Sequence, residues 1–291
     1  MGHLFTRLEF IRLGATGAAV WRAGSASTQT GAAAAGDGVG VKKRIPTGLQ
    51  LYSVRTECKA DLPAVLKAVA AMGYEGVEFA GYHGRDAAEL RRLLDENGLR
   101  CCGTHLGMEA LTGDELKRTV ELNQNLGNAF LIVASLPDEK TLDRHSCLET
   151  AKAFNEISEK VAVEGMRVGY HNHSSDLKPL DGETAWDIIF GNTRPEVVMQ
   201  IDTANMIAGG GDPVHFLRKY PGRAPTMHVK EHSKSHPEAL IGEGDIDWPA
   251  IFDVVEAQGR TEWFIVEYEG DAIPPLVAVE RCLANLNKMA R

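Results

Sequence analysis

The five cysteines form no CxxC pair, no stretch of 18 or more residues is continuously apolar, and positive charge is in deficit. Each absence removes a class of protein. Without paired cysteines, a thiolate zinc site or dithiol redox motif is disfavoured. Cys58, Cys101, Cys102, Cys147 and Cys282 are therefore read as packing residues. Cys101 and Cys102 are adjacent on an expected strand, so they should face different layers. Without a long apolar run, no membrane-spanning helix is expected. A net charge of −9 argues against work on nucleic acid or an anionic membrane, since both reward a basic face. A small phosphorylated substrate, held by a local Lys or Arg, stays open. No segment repeats itself in sequence at a fixed period.

What is present divides in two. Residues 23 to 40 are almost entirely Ala, Gly, Ser, Thr and Gln, a composition that cannot bury a core. Before them run Thr6-Arg7-Leu8-Glu9-Phe10-Ile11-Arg12-Leu13, a short apolar stretch to Trp21, and small residues at Ala23-Gly24-Ser25-Ala26-Ser27. A basic start, an apolar middle and small residues at a cut site make an export signal. The segment resembles a twin-arginine leader in which Leu8 replaces the second arginine and Arg22 interrupts the apolar run. Residues 1–44 are accordingly expected to be a disordered leader. It would direct the chain to the periplasm if functional and leave it cytoplasmic if not.

From Ile45 the pattern becomes regular. Apolar runs rich in Val, Ile, Leu and Tyr alternate with amphipathic stretches. Strands are expected near 47–53, 74–79, 99–106, 129–134, 166–171, 197–202, 225–230 and 262–268. Helices are expected near 61–72, 86–97, 113–126, 145–164, 184–191, 212–219, 248–258 and 272–289. Asp61 ahead of Pro63, Gly73 and Gly98 after two amphipathic runs, and Asp247-Trp248-Pro249 are boundary signals. Of 291 residues, 44% are hydrophobic and 24% charged, as in a soluble globular chain. Eight βα units over 45–291 predict a single α/β domain, a (β/α)8 TIM barrel, for which roughly 250 residues is typical.

Four of the expected strands close on residues that bind metal. These patches are Tyr170-His171-Asn172-His173, Gln200-Ile201-Asp202-Thr203-Ala204-Asn205, Met227-His228-Val229-Lys230-Glu231 and Ile265-Val266-Glu267-Tyr268-Glu269. Asp202 follows His171 by 31 residues, His228 follows Asp202 by 26, and Glu267 follows His228 by 39. Each interval is about one strand-plus-helix unit, so a closed parallel barrel puts all four on one rim. Each has a plainer reading. HNH can be a polar loop, Asp202 a helix cap, His228 a hydrogen-bonded structural histidine, and Glu267 half of an ion pair. Together they favour one divalent ion held by His171, Asp202, His228 and Glu267. Imidazole suits Zn or Co while carboxylate suits Mn or Mg, so the donor set does not choose the ion.

The chain resembles the xylose isomerase-like barrel superfamily, the sugar phosphate isomerases/epimerases. The resemblance covers residues 45–291. It rests on Gly48-Leu49-Gln50-Leu51-Tyr52-Ser53-Val54-Arg55, Gly73-Tyr74-Glu75-Gly76-Val77-Glu78-Phe79, Gly169-Tyr170-His171-Asn172-His173, Tyr220-Pro221-Gly222-Arg223 ahead of His228-Val229-Lys230, and Gly242-Glu243-Gly244-Asp245-Ile246-Asp247-Trp248. It implies an enzyme whose divalent metal sits on the residues matching His171, Asp202, His228 and Glu267. The metal would hold the hydroxyl and carbonyl oxygens of a sugar-like substrate while a nearby base takes the C–H proton between them. Glu267 and His173 are the expected proton carriers and Lys230 the group that polarises the oxyanion. Glu78, His105, Asn205 and Arg55 are the expected substrate contacts, with Arg55 and Lys230 the candidates for a phosphate.

One departure matters. Ketose epimerases of this superfamily have glutamate where this chain has His171, so that two glutamates serve opposite faces of the substrate. Glu267 alone remains of that pair, with His173, Glu78, His105 or Lys230 as replacements. An isomerase or epimerase therefore leads. A keto-sugar or inosose lyase or dehydratase, which needs the same enolate, follows, and a non-catalytic sugar-binding barrel is third. The related apurinic endonucleases need a further ligand where this chain has Asn205. The expected partner is a small carbohydrate-like molecule, with no nucleic acid and no membrane; self-association into a homo-oligomer stays open.

Overall fold

The computed structural model describes residues 44–180 and 182–289; the expected leader, all but its last residue, and the export signal lie outside them. The strands are β1 (Thr47–Gln50), β2 (Gly76–Ala80), β3 (Arg100–Leu106), β4 (Phe130–Val133), β5 (Arg167–His171), β6 (Pro179–Leu180), β7 (Glu183–Thr184), β8 (Val198–Asp202), β9 (Thr226–Val229) and β10 (Trp263–Val266). All but β6 and β7 are parallel neighbours in a closed barrel of order β1-β10-β9-β8-β5-β4-β3-β2. The two-residue strands β6 and β7 pair with each other, antiparallel, in the connection after β5. The helices are α1 (Arg55–Met72), α2 (Ala87–Glu96), α3 (Gly113–Leu126), α4 (Arg144–Ala162), α5 (Ala185–Asn192), α6 (Thr203–Ala208), α7 (Pro213–Lys219), α8 (Trp248–Gln258) and α9 (Pro275–Met289). This is the expected TIM barrel. Among the described residues no helix is long and apolar enough to cross a membrane.

Local chemistry explains where the elements begin and end. Strand β1 stops at Gln50, short of the expected 53, because the Gln50 side chain accepts a hydrogen bond from the Tyr52 amide at 3.0 Å. The chain turns there into a 3₁₀ turn over Leu51–Val54. Helix α1 starts at Arg55 rather than 61, but Asp61 leaves the helical region at φ −156°, ψ 84°. Its carboxylate accepts from the Ala64 amide at 3.0 Å, so Asp61 and Pro63 mark a restart inside the helix. Asp86 caps α2, Asp143 forms a capping box on α4, and Asp247 caps α8.

Side chains alternate across each strand, and that alternation builds two cores. Leu131, Val133, Val168, Tyr170, Met199, Ile201, Phe264 and Val266 join the large outer core with the helices. Cys102, Phe130, Ile132, Val198, Trp263 and Ile265 form a separate cluster inside the barrel. Cys101 packs in the outer core and Cys102 in the inner one, as adjacency on a strand requires. A bulge opposite Val77 and Glu78 makes Cys102 the extra residue of β3. Arg100 stacks on Trp263 at 4.3 Å and Arg167 on Phe130 at 4.5 Å, at the N-terminal rim. Gly76 leaves room for this floor, since a Cβ there would come 2.9 Å from the Trp263 ring. With the floor plugged by apolar groups, the polar inward positions collect at the C-terminal rim, where barrels of this kind carry their chemistry.

Candidate active site

The inward-facing positions above the apolar floor are Gln50 on β1, Glu78 on β2, His105 on β3, His171 on β5, Gln200 and Asp202 on β8, His228 on β9 and Glu267 just past β10. All except His105, which is partly exposed, are buried. The four expected ligands converge: one donor atom from each of His171, Asp202, His228 and Glu267 lies within 4.8 Å of the others. The His171 and His228 rings meet edge to face at 4.5 Å. His228 Nδ1 stands 3.2 Å from Glu267 Oε2 and 3.9 Å from Asp202 Oδ2.

The two oxygens of Asp202 stand in different surroundings. Oδ1 accepts from the Asn205 amide at 2.7 Å and so caps α6, a short helix that the sequence reading passed over. Oδ2 is fully buried and has no hydrogen-bond partner. Burying a carboxylate oxygen without a partner is costly, and the other donor atoms of the cluster face it. Burial raises the Asp202 carboxyl to about 7, against the opposing pull of Lys230. An unpartnered buried oxygen beside two imidazoles and a second carboxylate fits a divalent cation. The strand end is held by a neighbouring loop: Asn172 Oδ1 accepts from the Asp202 amide at 2.7 Å, and Asn205 Nδ2 donates to the Asn172 carbonyl at 3.2 Å.

Lys230 supplies the positive charge. Its ammonium is bonded to Glu269 and lies 3.4 Å from Glu267 Oε2 and 3.9 Å from Asp202 Oδ2. Burial disfavours that charge, but the three carboxylates outweigh it and push the Lys230 pKa up, so the lysine stays protonated. Burial would raise the Glu267 carboxyl, yet Lys230 and His228 together hold it well below the usual carboxylate range. His228 is likewise penalised by burial but raised to about 10 by Glu78 and Glu267. Burial lowers His171, with His228 and His105 adding to the effect. Burial also lowers His173, which leaves a neutral imidazole.

A cavity of about 410 Å³ opens above these groups. His105, His171, His173, Asn205 and Glu267 line it, with Tyr52 and Glu269 nearer the rim. His173 is two positions beyond His171, and the two rings meet at 5.3 Å. Two expected substrate contacts sit elsewhere. Arg55 is exposed, lies 4.4 Å over the Tyr52 ring and donates to the Tyr52 carbonyl, outside the cavity lining. Glu78 is fully buried and does not line the cavity. It binds His228 Nε2 at 2.6 Å, His105 Nε2 at 3.1 Å, Gln50 Nε2 at 2.7 Å and Gln200 Nε2 at 2.9 Å. Burial penalises its charge, but the two imidazoles reverse the effect and keep it ionised.

Gln50 and Gln200 were not singled out from the sequence. The usable signal was their spacing: each is an amide at an inward position of an apolar strand, and Gln200 is two residues before Asp202. Glu231, the last residue of the strand-end patch Met227–Glu231, does structural work. Its carboxylate accepts from Trp248 Nε1 at 2.8 Å and from the Gly242 amide at 2.6 Å. The Gly242–Trp248 segment is thereby folded onto the loop that follows Lys230.

Residues 66–288 match the xylose isomerase-like TIM barrel family, and the chain belongs to it. It is 23% identical over 265 residues to the rhizopine catabolism protein MocC of Rhizobium meliloti, covering 75% of this chain and 78% of that one. It is 25% identical over 266 residues to an inosose dehydratase of Geobacillus kaustophilus (strain HTA426), covering 77% and 84%. Among solved structures, a sugar phosphate isomerase/epimerase of Parabacteroides distasonis ATCC 8503 superposes with a TM-score of 0.74 at 25% identity. That match covers 85% of this chain and 95% of the other.

Proposed function

We propose that this chain is a divalent-metal-dependent enzyme of the isomerase and epimerase class. In this reading it acts on a sugar-like hydroxy-ketone by removing a proton beside the carbonyl, through an enediolate. The observation that carries the reading is the unpartnered, fully buried Asp202 Oδ2 within a cluster of two imidazoles and two carboxylates. His171, Asp202, His228 and Glu267 hold the ion. Bound there, a divalent cation supplies Lewis acidity toward neighbouring hydroxyl and carbonyl oxygens of a substrate.

The chain's own groups divide the remaining work. Glu267, ionised at the cavity wall, receives the proton; both of its close contacts use Oε2. His173, neutral and facing the same cavity, carries a proton to or from the substrate oxygens. Lys230 keeps its charge and stabilises negative charge as it forms. His105 and Asn205 contact the substrate from the cavity wall. Glu78 moves from the substrate contacts to the support beneath the metal ligands.

A second reading, dehydration of a keto-cyclitol or keto-sugar, is favoured by the inosose dehydratase relatives that the chain matches over most of both lengths. The two share proton removal and differ in the step after it. Manganese-loaded protein incubated with ketoses and with inososes in deuterated water separates them. Deuterium beside the carbonyl with the carbon skeleton and hydroxyls intact supports isomerisation or epimerisation. Loss of water to an enone supports dehydration. A protein that binds manganese but does neither, on any of these ketones, removes the enolisation reading.

A further inference from the structure

Beneath the four candidate ligands lies a second layer of polar side chains, Gln50, Glu78, His105 and Gln200, of which His105 lines the cavity and the other three do not. His105, His171 and His228 also bring nitrogens within 4.8 Å of one another, but those facing this layer have partners already. His105 Nε2 contacts Gln200 Oε1 at 2.8 Å and Glu78 Oε2 at 3.1 Å. His171 Nδ1 contacts Gln200 Oε1 at 3.1 Å, and His228 Nε2 contacts Glu78 Oε2 at 2.6 Å. The layer is a hydrogen-bond network, and its donors and acceptors can be assigned.

Gln50 Oε1 accepts from the Tyr52 amide at 3.0 Å, so its NH₂ donates to Glu78 Oε2, and the Glu78 carboxylate, which also faces the His105 and His228 nitrogens, is the acceptor of the layer. Gln200 must therefore point its NH₂ at Glu78 Oε1, 2.9 Å away, and at Thr226 Oγ1, 3.1 Å away. That orientation leaves Gln200 Oε1 as an acceptor facing His105 and His171. His171 must then carry a proton on Nδ1, since a bare lone pair there would face the lone pairs of Oε1 at 3.1 Å, and that leaves the Nε2 lone pair free. By the same logic the proton of a singly protonated His228 sits on Nε2, against Glu78. Its free lone pair is on Nδ1, the nitrogen that faces Glu267 and Asp202. Gln50 Nε2 fixes Glu78 from the other side at 2.7 Å. Gly103 makes the arrangement possible, because a Cβ there would lie 2.3 Å from Glu78 Oε1.

We propose that Glu78 and Gln200 are positioning residues that set opposite tautomers on the two histidine ligands. His171 would bind through Nε2 and His228 through Nδ1. The proposal rests on the reading of His171, Asp202, His228 and Glu267 as a metal centre. A carboxylate or amide behind a ligating imidazole fixes the ring and raises its basicity, and its loss typically costs about 10–100-fold in metal affinity.

Zinc is the probe, being diamagnetic. Zinc-loaded protein labelled with ¹⁵N-histidine should show one ligating histidine protonated on Nδ1 and one on Nε2. Through-bond assignment from the backbone to each imidazole says which is which. Glu78→Gln and Gln200→Met should each weaken zinc binding in a competition titration by about 10–100-fold, while the metal-free proteins melt near the unaltered one. Unaltered protein that takes up no stoichiometric zinc overturns the metal reading, and this proposal with it. Stoichiometric zinc with the opposite protonation pattern, or with both variants binding as tightly as the unaltered chain, overturns the proposal alone. The spectrum of the unaltered protein decides the tautomers even if both variants fail to fold.

Discussion

At Asp202 and Glu267 the plainer readings hold and still leave atoms available for chemistry. Asp202 caps α6 with one oxygen and leaves the other free. Glu267 is in an ion pair and also lines the cavity. Asp202→Ala or Glu267→Ala should abolish stoichiometric metal binding and turnover together, as read by elemental analysis of purified protein. Lys230→Met should keep the metal but lower turnover on an identified substrate by about 100-fold, the scale of losing one oxyanion donor; undiminished turnover would remove the lysine from the mechanism. His171→Glu restores the second carboxylate that a two-faced epimerase uses. The expectation is a gain in epimerisation at unchanged metal content. Efficient epimerisation by the unaltered chain would show that His171 imposes no such limit. The four converging residues were legible because each ends a recognisable apolar strand. The support under them was not, because Glu78, Gln50 and Gln200 acquire their partners across strands distant in sequence. Glu78 and Gln200 alone are 122 positions apart.

At the level of elements, the strands and most helices follow from period and punctuation, and the departures have local causes. Helix α6 leaves no mark in the sequence pattern because its six residues are too few for a helical period to register. The turn after β5 was equally hidden. There Asp176 accepts from Tyr170 Oη at 2.9 Å and from the His173 amide at 2.7 Å. These bonds tie the loop bearing His173 to the strand bearing His171. Burial raises the Asp176 carboxyl to about 6 from an ordinary 3.8, with the two hydrogen bonds opposing. The folded state thus holds this proton more tightly than the unfolded chain. Stability from this group is therefore full below pH 4 and falls as pH rises to 6, by about 3 kcal/mol at most. Asp176→Asn removes that titration. Its unfolding free energy relative to the unaltered chain should rise between pH 4 and 6 and level off above, in urea melts of the metal-free proteins. A pH-independent difference would mean that Asp176 does not titrate in that window.

For the whole molecule, closure of the barrel decides what the chain needs in order to fold. Eight parallel strands from Thr47 to Val266 complete the ring, so no edge strand of the barrel is left to pair with anything else. The last helix, α9, is tied to the first part of the chain by a buried bond from Tyr74 Oη to the Val279 carbonyl at 2.7 Å. Every candidate ligand and every cavity residue named above lies between Tyr52 and Glu269. Residues 1–42 bring no periodic apolar positions and are rich in Ala, Gly and Ser, so they have little apolar surface with which to stabilise a folded state. Arg7, Arg12, Arg22 and Lys42 against Glu9 and Asp37 add positive charge to an acidic protein, an effect that salt screens over about 10 Å. A chain beginning at Lys43 should therefore bind one equivalent of zinc with unchanged affinity. It should also melt within about 2 °C of the full chain, a shift that corresponds to less than about 1 kcal/mol at this size. A melting point lowered well beyond that, or weakened zinc binding, would show that the leading segment contributes to the folded barrel.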